Sequence, residues 1–272
     1  MNSKNFWLGF VASMALVAAG CGDSGSSNGT GGTAGSGGSG GTPSAGANVT
    51  AVHLAPEVPA AGDTEVAIFV NGENSGVTIS YGDTTGRIPL PAGTYDLGLG
   101  LPDGTEPLLQ LEGVELSDGD DVTVVAYRTN DELPVDVFVF SNGTDDLASG
   151  SGRVFVGHGA NDPALDPVNV STSNEAGDAD CETLIPGFEF GTTFPAEGVA
   201  DLEAGSLNIG FDVTDDMDAC PQVGPVPVPV TPDVVSILVA VDENTSNDEG
   251  QLAPELWAIV DADTLVRLIN AD

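Results

Sequence analysis

Alternation is the clearest signal along this chain. Tyr95, Leu97, Leu99 and Leu101 occupy every second position, and so do Leu207, Ile209, Phe211 and Val213. A period of two puts one row of side chains on one face of an extended strand, so each run predicts a strand with a single buried face. Residues 121–126 (DVTVVA) and 233–239 (DVVSILV) are apolar almost without interruption and predict strands central in their sheets. Short runs of Val, Ile, Thr, Phe and Leu recur throughout 49–272, set apart by Gly, Pro, Asn and Asp. No long amphipathic helical pattern breaks the series. Residues 224–230 (GPVPVPV) cannot be a central strand, because each proline lacks a ladder donor. They predict an edge or polyproline segment that shields a sheet edge from other chains.

The runs fall into two copies of one unit. Val52-His53-Leu54-Ala55 aligns with Gly157-His158-Gly159-Ala160, Tyr81-Gly82 with Phe190-Gly191, and Leu90-Pro91-Ala92-Gly93 with Leu202-Glu203-Ala204-Gly205. Units of roughly a hundred residues with strands at this spacing predict an all-β fold. The expectation is two tandem antiparallel β-sandwich domains, immunoglobulin- or transthyretin-like, at 49–144 and 152–272, each large enough to fold alone. Trp257, Phe69, Tyr81, Phe138, Phe140, Phe155 and Phe188 alternate within strands and are expected in the cores rather than on a sugar-stacking platform.

Ahead of these repeats the pattern changes twice. Lys4 precedes an uncharged apolar run at 6–19, and Ala18, Ala19 and Gly20 precede Cys21. The run suits a secretory leader and is too short to span roughly 30 Å of hydrocarbon. Residues 1–20 are expected to be a lipoprotein signal peptide, leaving Cys21 lipidated. From there to residue 48 the chain is almost wholly Gly, Ser, Thr and Ala, which predicts a disordered linker serving as a flexible tether. Gly37, Ser39 and Gly41 match G-x-S-x-G formally, but a linker supplies neither the strand nor the helix a nucleophile elbow needs. The expected location is outside the cytoplasm, lipid-anchored, in the outer membrane of a Gram-negative bacterium. Gly22 rather than Asp after the cysteine favours that membrane.

Charge narrows the partners. The chain carries 42 acidic residues against 5 basic ones, a formal net charge of −37. Beyond Lys4 there is no lysine, only Arg87, Arg128, Arg153 and Arg267. This field repels nucleic acid and anionic headgroups, so the lipid must do the anchoring. The lack of lysine also excludes Schiff-base chemistry and Lys–Asn isopeptide crosslinks in the repeats. Cys181 and Cys220, in a chain bound for an oxidising compartment, are expected to form a disulfide. It would close a loop worth about 4 kcal/mol of chain entropy.

The segment VTAVHLAPEVPAAGDTEVAIFVNG, followed by LPAGTY, resembles the opening of a secreted bacterial and archaeal domain family of unknown function. That pattern runs V-x-x-x-H-A-S-P-D-A-P, then V-D-V-Y-V-N-G, then L-P-A-G-T-Y. His53, Ala55, Pro56, Pro59, Val66, Val70, Asn71, Gly72 and residues 90–95 fit it; in the second copy His158, Ala160, Asp162, Pro163, Ala204 and Gly205 remain, without the Asn-Gly turn. The resemblance implies extracytoplasmic, often tandem β-sandwiches and brings no site residues with it.

Candidate chemistry is sparse. His53 and His158 occupy the same place in each copy, which favours a structural role in which the imidazole bonds loop backbone. Acidic clusters in loops are the candidates for calcium, chiefly Asp178 and Asp180 with Asp215, Asp216 and Asp218, which a Cys181–Cys220 bridge would bring together. None has EF-hand spacing, and solvated turn acids are the simpler reading. No other cofactor is expected. The function expected is non-catalytic presentation of two domains for binding or adhesion to an envelope protein or polysaccharide. The alternatives are a calcium-dependent carbohydrate-binding module and, behind it, a hydrolase.

Overall fold

The computed structural model describes residues 46–59, 64–129, 135–144, 146–161, 165–172, 181–196, 200–212, 223–246, 252–260 and 264–270. Residues 42–272 form one compact unit. The first repeat is built from β1 (Ala47–Leu54), β2 (Val66–Val70), β3 (Glu73–Ile79), β4 (Asp83–Thr84), β5 (Ile88–Leu90), β6 (Gly93–Gly100), β7 (Pro107–Leu116), β8 (Asp121–Arg128) and β9 (Val135–Ser141). The second contains β10 (Ser151–Gly159), β11 (Val168–Thr172), β12 (Glu182–Phe188), β13 (Thr192–Phe194), β14 (Asp201–Glu203), β15 (Gly205–Asp212), β16 (Val223–Val230), β17 (Val235–Ser246) and β18 (Leu252–Val260). It ends with β19 (Thr264–Asn270), which has no counterpart among the described residues of the first.

Strands β1–β9 and β10–β18 pair in the same order. In the first repeat, one sheet runs β4-β1-β8-β9 with β5 also on β1, and the other runs β3-β2-β6-β7. In the second, the sheets run β13-β10-β17-β18-β19, with β14 on β10, and β12-β11-β15-β16. The pairs are antiparallel except β1 with β8 and β10 with β17, which run parallel. The fold is therefore all-β, with a mixed sheet facing an antiparallel one in each repeat. The alternating runs of β6 and β15 lie within the antiparallel sheets, and the continuously apolar β8 and β17 are central in the mixed ones. Proline-rich β16 is an edge strand: Val226, Val228 and Val230 are buried while Pro227 and Pro229 are exposed. Its period of two lets each proline take the position whose N–H would point away from β15.

Each sandwich has its own apolar interior. Ala51, Ile68, Leu99 and Ala126 are among those filling the first, and Val156, Val170, Phe211, Leu238 and Leu256 among those filling the second. A third apolar layer, which the sequence reading did not anticipate, joins the repeats. Val52, Leu54, Val125, Tyr127, Phe138 and Phe140 from the first mixed sheet pack with Phe155, Ile237, Val239, Val241, Trp257 and Ile259 from the second. Both mixed sheets are thus covered on both faces, which is why residues 124–127 of β8 and 237–241 of β17 are apolar without a break. Each large side chain buried there contributes about 1.5–3 kcal/mol.

Candidate functional site

The two histidines anchor equivalent corners. His53 lies near the end of β1 opposite Asp83, and His158 near the end of β10 opposite Thr192. Both are fully buried. His53 Nε2 is 3.3 Å from the Val58 carbonyl, and His158 Nε2 is 2.6 Å from the Leu165 carbonyl. Their own carbonyls accept from Gly82 N at 2.8 Å and Gly191 N at 2.7 Å, in turns where φ of +80° and +76° calls for glycine. The residue before each glycine sets an aromatic edge against the imidazole: Tyr81 at 6.5 Å from His53, Phe190 at 6.3 Å from His158.

Burial pushes His53 down to about 4, against the opposing pull of the Val58 and Thr64 backbone and of Asp83. Burial lowers His158 as well. Both rings are neutral near pH 7. Because an unfolded histidine protonates near pH 6.5, the unfolded chain takes up protons that folded His53 refuses as pH falls from 6.5 towards 4. Stability is expected to drop across that window by about 3 kcal/mol for His53. Comparing denaturation of the wild type and His53→Gln over pH 4–7.5 isolates this loss; parallel curves would show that His53 titrates normally.

No hydrogen bond joins either imidazole to a hydroxyl or carboxylate among the described residues, so neither ring has a nucleophile or an orienting acid in hand. Cys21, Cys220, Asp178, Asp180, Asp215, Asp216 and Asp218 lie outside the described residues. Cys181 is disulfide-bonded. Among the described residues no group of three or more His, Cys, Asp and Glu side chains is placed to hold a metal ion.

The polar centre of the molecule lies instead in the layer between the repeats. Glu255, on β18, is 2% exposed. Its Oε2 accepts from the Tyr81 hydroxyl at 2.9 Å and from Trp257 Nε1 at 2.8 Å, and its Oε1 is 2.5 Å from Arg267 Nη2 on β19. Burial, and then the Glu255 charge, push the Tyr81 phenol up, so it remains a donor. The sequence signal for this network was a lone acid, Glu255, beside the apolar run 256–260; nothing in the spacing named its partners. Close approach is made by glycine. A Cβ on Gly157 would lie 2.9 Å from the Phe138 ring, and one on Gly159 would lie 2.8 Å from Tyr127. The aligned positions in β1 are Val52 and Leu54.

All four arginines are engaged: Arg87 with Asp121, Arg128 with Glu57, Arg153 with Asp201 and Arg267 with Glu255. Arg153 also donates to the Gly143 carbonyl, tying the junction between repeats to β10. A polar crevice of about 130 Å³ at that junction, lined by Arg87, Asp121, Thr123 and Asn142 among others, has room for a few waters and not for a typical organic ligand.

This geometry defines an all-β protein made of two fused sandwich repeats that share a core. Residues 47–170 match the family described as a domain of unknown function (DUF4397), a span covering the first repeat and running into β11 of the second. No curated protein matches the chain.

Proposed function

We propose that the protein is a non-catalytic, lipid-anchored component of the cell envelope that presents its tandem β unit for binding. The leader at 1–20, ending at Cys21 and followed by a Gly/Ser-rich tether, carries this reading. It agrees with a chain whose two histidines are sealed in the fold and whose arginines are all paired. An acidic unit without free cations is held off anionic lipid surfaces, so it would stand away from its anchor. Labelling cells with a palmitate analogue is expected to mark the wild type and not Cys21→Ala, which should leave the membrane fraction. An unlabelled wild type would refute the anchor. Retention of one envelope polysaccharide or protein by the purified chain would identify what it presents itself to.

The disulfide at Cys181 supports a second reading. If its partner is Cys220, the acidic segments near 178–182 and 215–218 come together as a weak calcium site for a glycan. Calcium at millimolar concentration is then expected to raise the melting temperature, and an unchanged melting temperature would dismiss this reading.

A further inference from the structure

The two repeats differ in one architectural respect, the treatment of the outer edge of the last shared strand. Ala126 and Ala240 sit opposite the two histidines, and they pair in turn with Val137 of β9 and Leu256 of β18. This register makes Asp136 the counterpart of Glu255, and Val139 the counterpart of Ala258. In the second repeat β19 adds antiparallel to β18, with Val266 opposite Ala258, and Leu268 packs against the sandwich core. Arg267 on that strand neutralises Glu255. In the first repeat β9 ends its sheet, and no described strand pairs its outer edge. The consequence is direct: Ala258 is 4% exposed whereas Val139 is 49% exposed. Asp136 is exposed as well. Behind this edge an apolar crevice of about 40 Å³ lies between the two sheets, lined in part by Leu109, Leu111, Val124 and Val137.

We propose that the outer edge of β9 is a docking site for an extended, basic segment of another polypeptide, which adds antiparallel as β19 does on β18. An exposed edge offers backbone donors and acceptors, and the exposed Val139 offers apolar contact to the added strand. The cation follows from Asp136, which stands where Glu255 meets Arg267. A second copy of this chain is a poor occupant: its lysine-free repeats offer only arginines already paired, and its own Asp136 would face like charge. This proposal deepens the binding reading and rests on it.

The test uses the full chain and a fluorescent synthetic peptide with the sequence of residues 264–270 (TLVRLIN), whose own β19 is the template. Saturable binding is expected. Replacing the peptide arginine by glutamate should weaken it about tenfold, and Asp136→Arg in the protein should restore that loss. Val139→Asp, at a position already exposed, should abolish binding while leaving the melting temperature unchanged. Absence of saturable binding, or binding indifferent to all three changes, would overturn the proposal. So would a concentration-dependent dimer that Val139→Asp dissociates, because the occupant would then be a second copy. Failure here alongside retention of an envelope component would reject this edge while leaving the binding reading intact.

Discussion

Replacing Phe138 with alanine is expected to lower the stability of the whole tandem unit by about 3–5 kcal/mol. Phe138 belongs to the first repeat, but its ring stacks on Tyr127 at 4.1 Å and lies over Gly157 of the second. The hole would open in the shared layer, which neither sandwich can refill alone. Thermal unfolding monitored by circular dichroism should therefore show one transition moved down, not a destabilised first repeat beside an unchanged second. A selective loss of the first repeat would mean that the layer is a contact between independent domains.

Glu255→Ala is expected to be as damaging, at about 3–5 kcal/mol, for an electrostatic reason. It removes the acceptor of the buried Trp257 indole N–H, the nearer of two acceptors of the Tyr81 hydroxyl, and the counter-ion of Arg267. Tyr81 comes from the first repeat, so the network also crosses between copies. Glu255→Gln keeps an acceptor and should lose less. Adding Tyr81→Phe to Glu255→Ala should recover part of the loss, since a half-buried hydroxyl left with only its 3.2 Å contact to the Asp242 carbonyl is then gone. Denaturant titration of the wild type, Tyr81→Phe, Glu255→Ala and the double variant measures this coupling; additive effects would show that the hydroxyl does not depend on the carboxylate.

Much of the fold was readable from residue patterns. The alternation of β6 and β15 marks strands with one buried face, and the prolines of β16 place it at an edge. The paired motifs around His53 and His158 give the duplication, and the same alignment contains the seed of the shared layer. Val52 and Leu54 become Gly157 and Gly159 on either side of the histidine. Two bulky residues exchanged for glycine on one face mean that something large approaches the second copy there. The sequence does not say that Phe138 and Tyr127 of the first copy do so. Continuous apolar character in β8 and β17 likewise signals burial on two faces without naming what covers the second. The Glu255 network was illegible for a similar reason. Its members lie on strands far apart in the chain, and Arg267 sits on β19, which has no counterpart to align with.

Equilibrium unfolding of the chain followed by two probes tests the shared core most directly. Trp257, the only tryptophan after Trp7, reports on the shared layer by fluorescence, and amide exchange in β2, β6 and β7 reports on the far sheet of the first repeat. A single body joined through a common core predicts coincident transitions with one midpoint. Two separated transitions, with the first repeat remaining folded after Trp257 has been exposed, would contradict it.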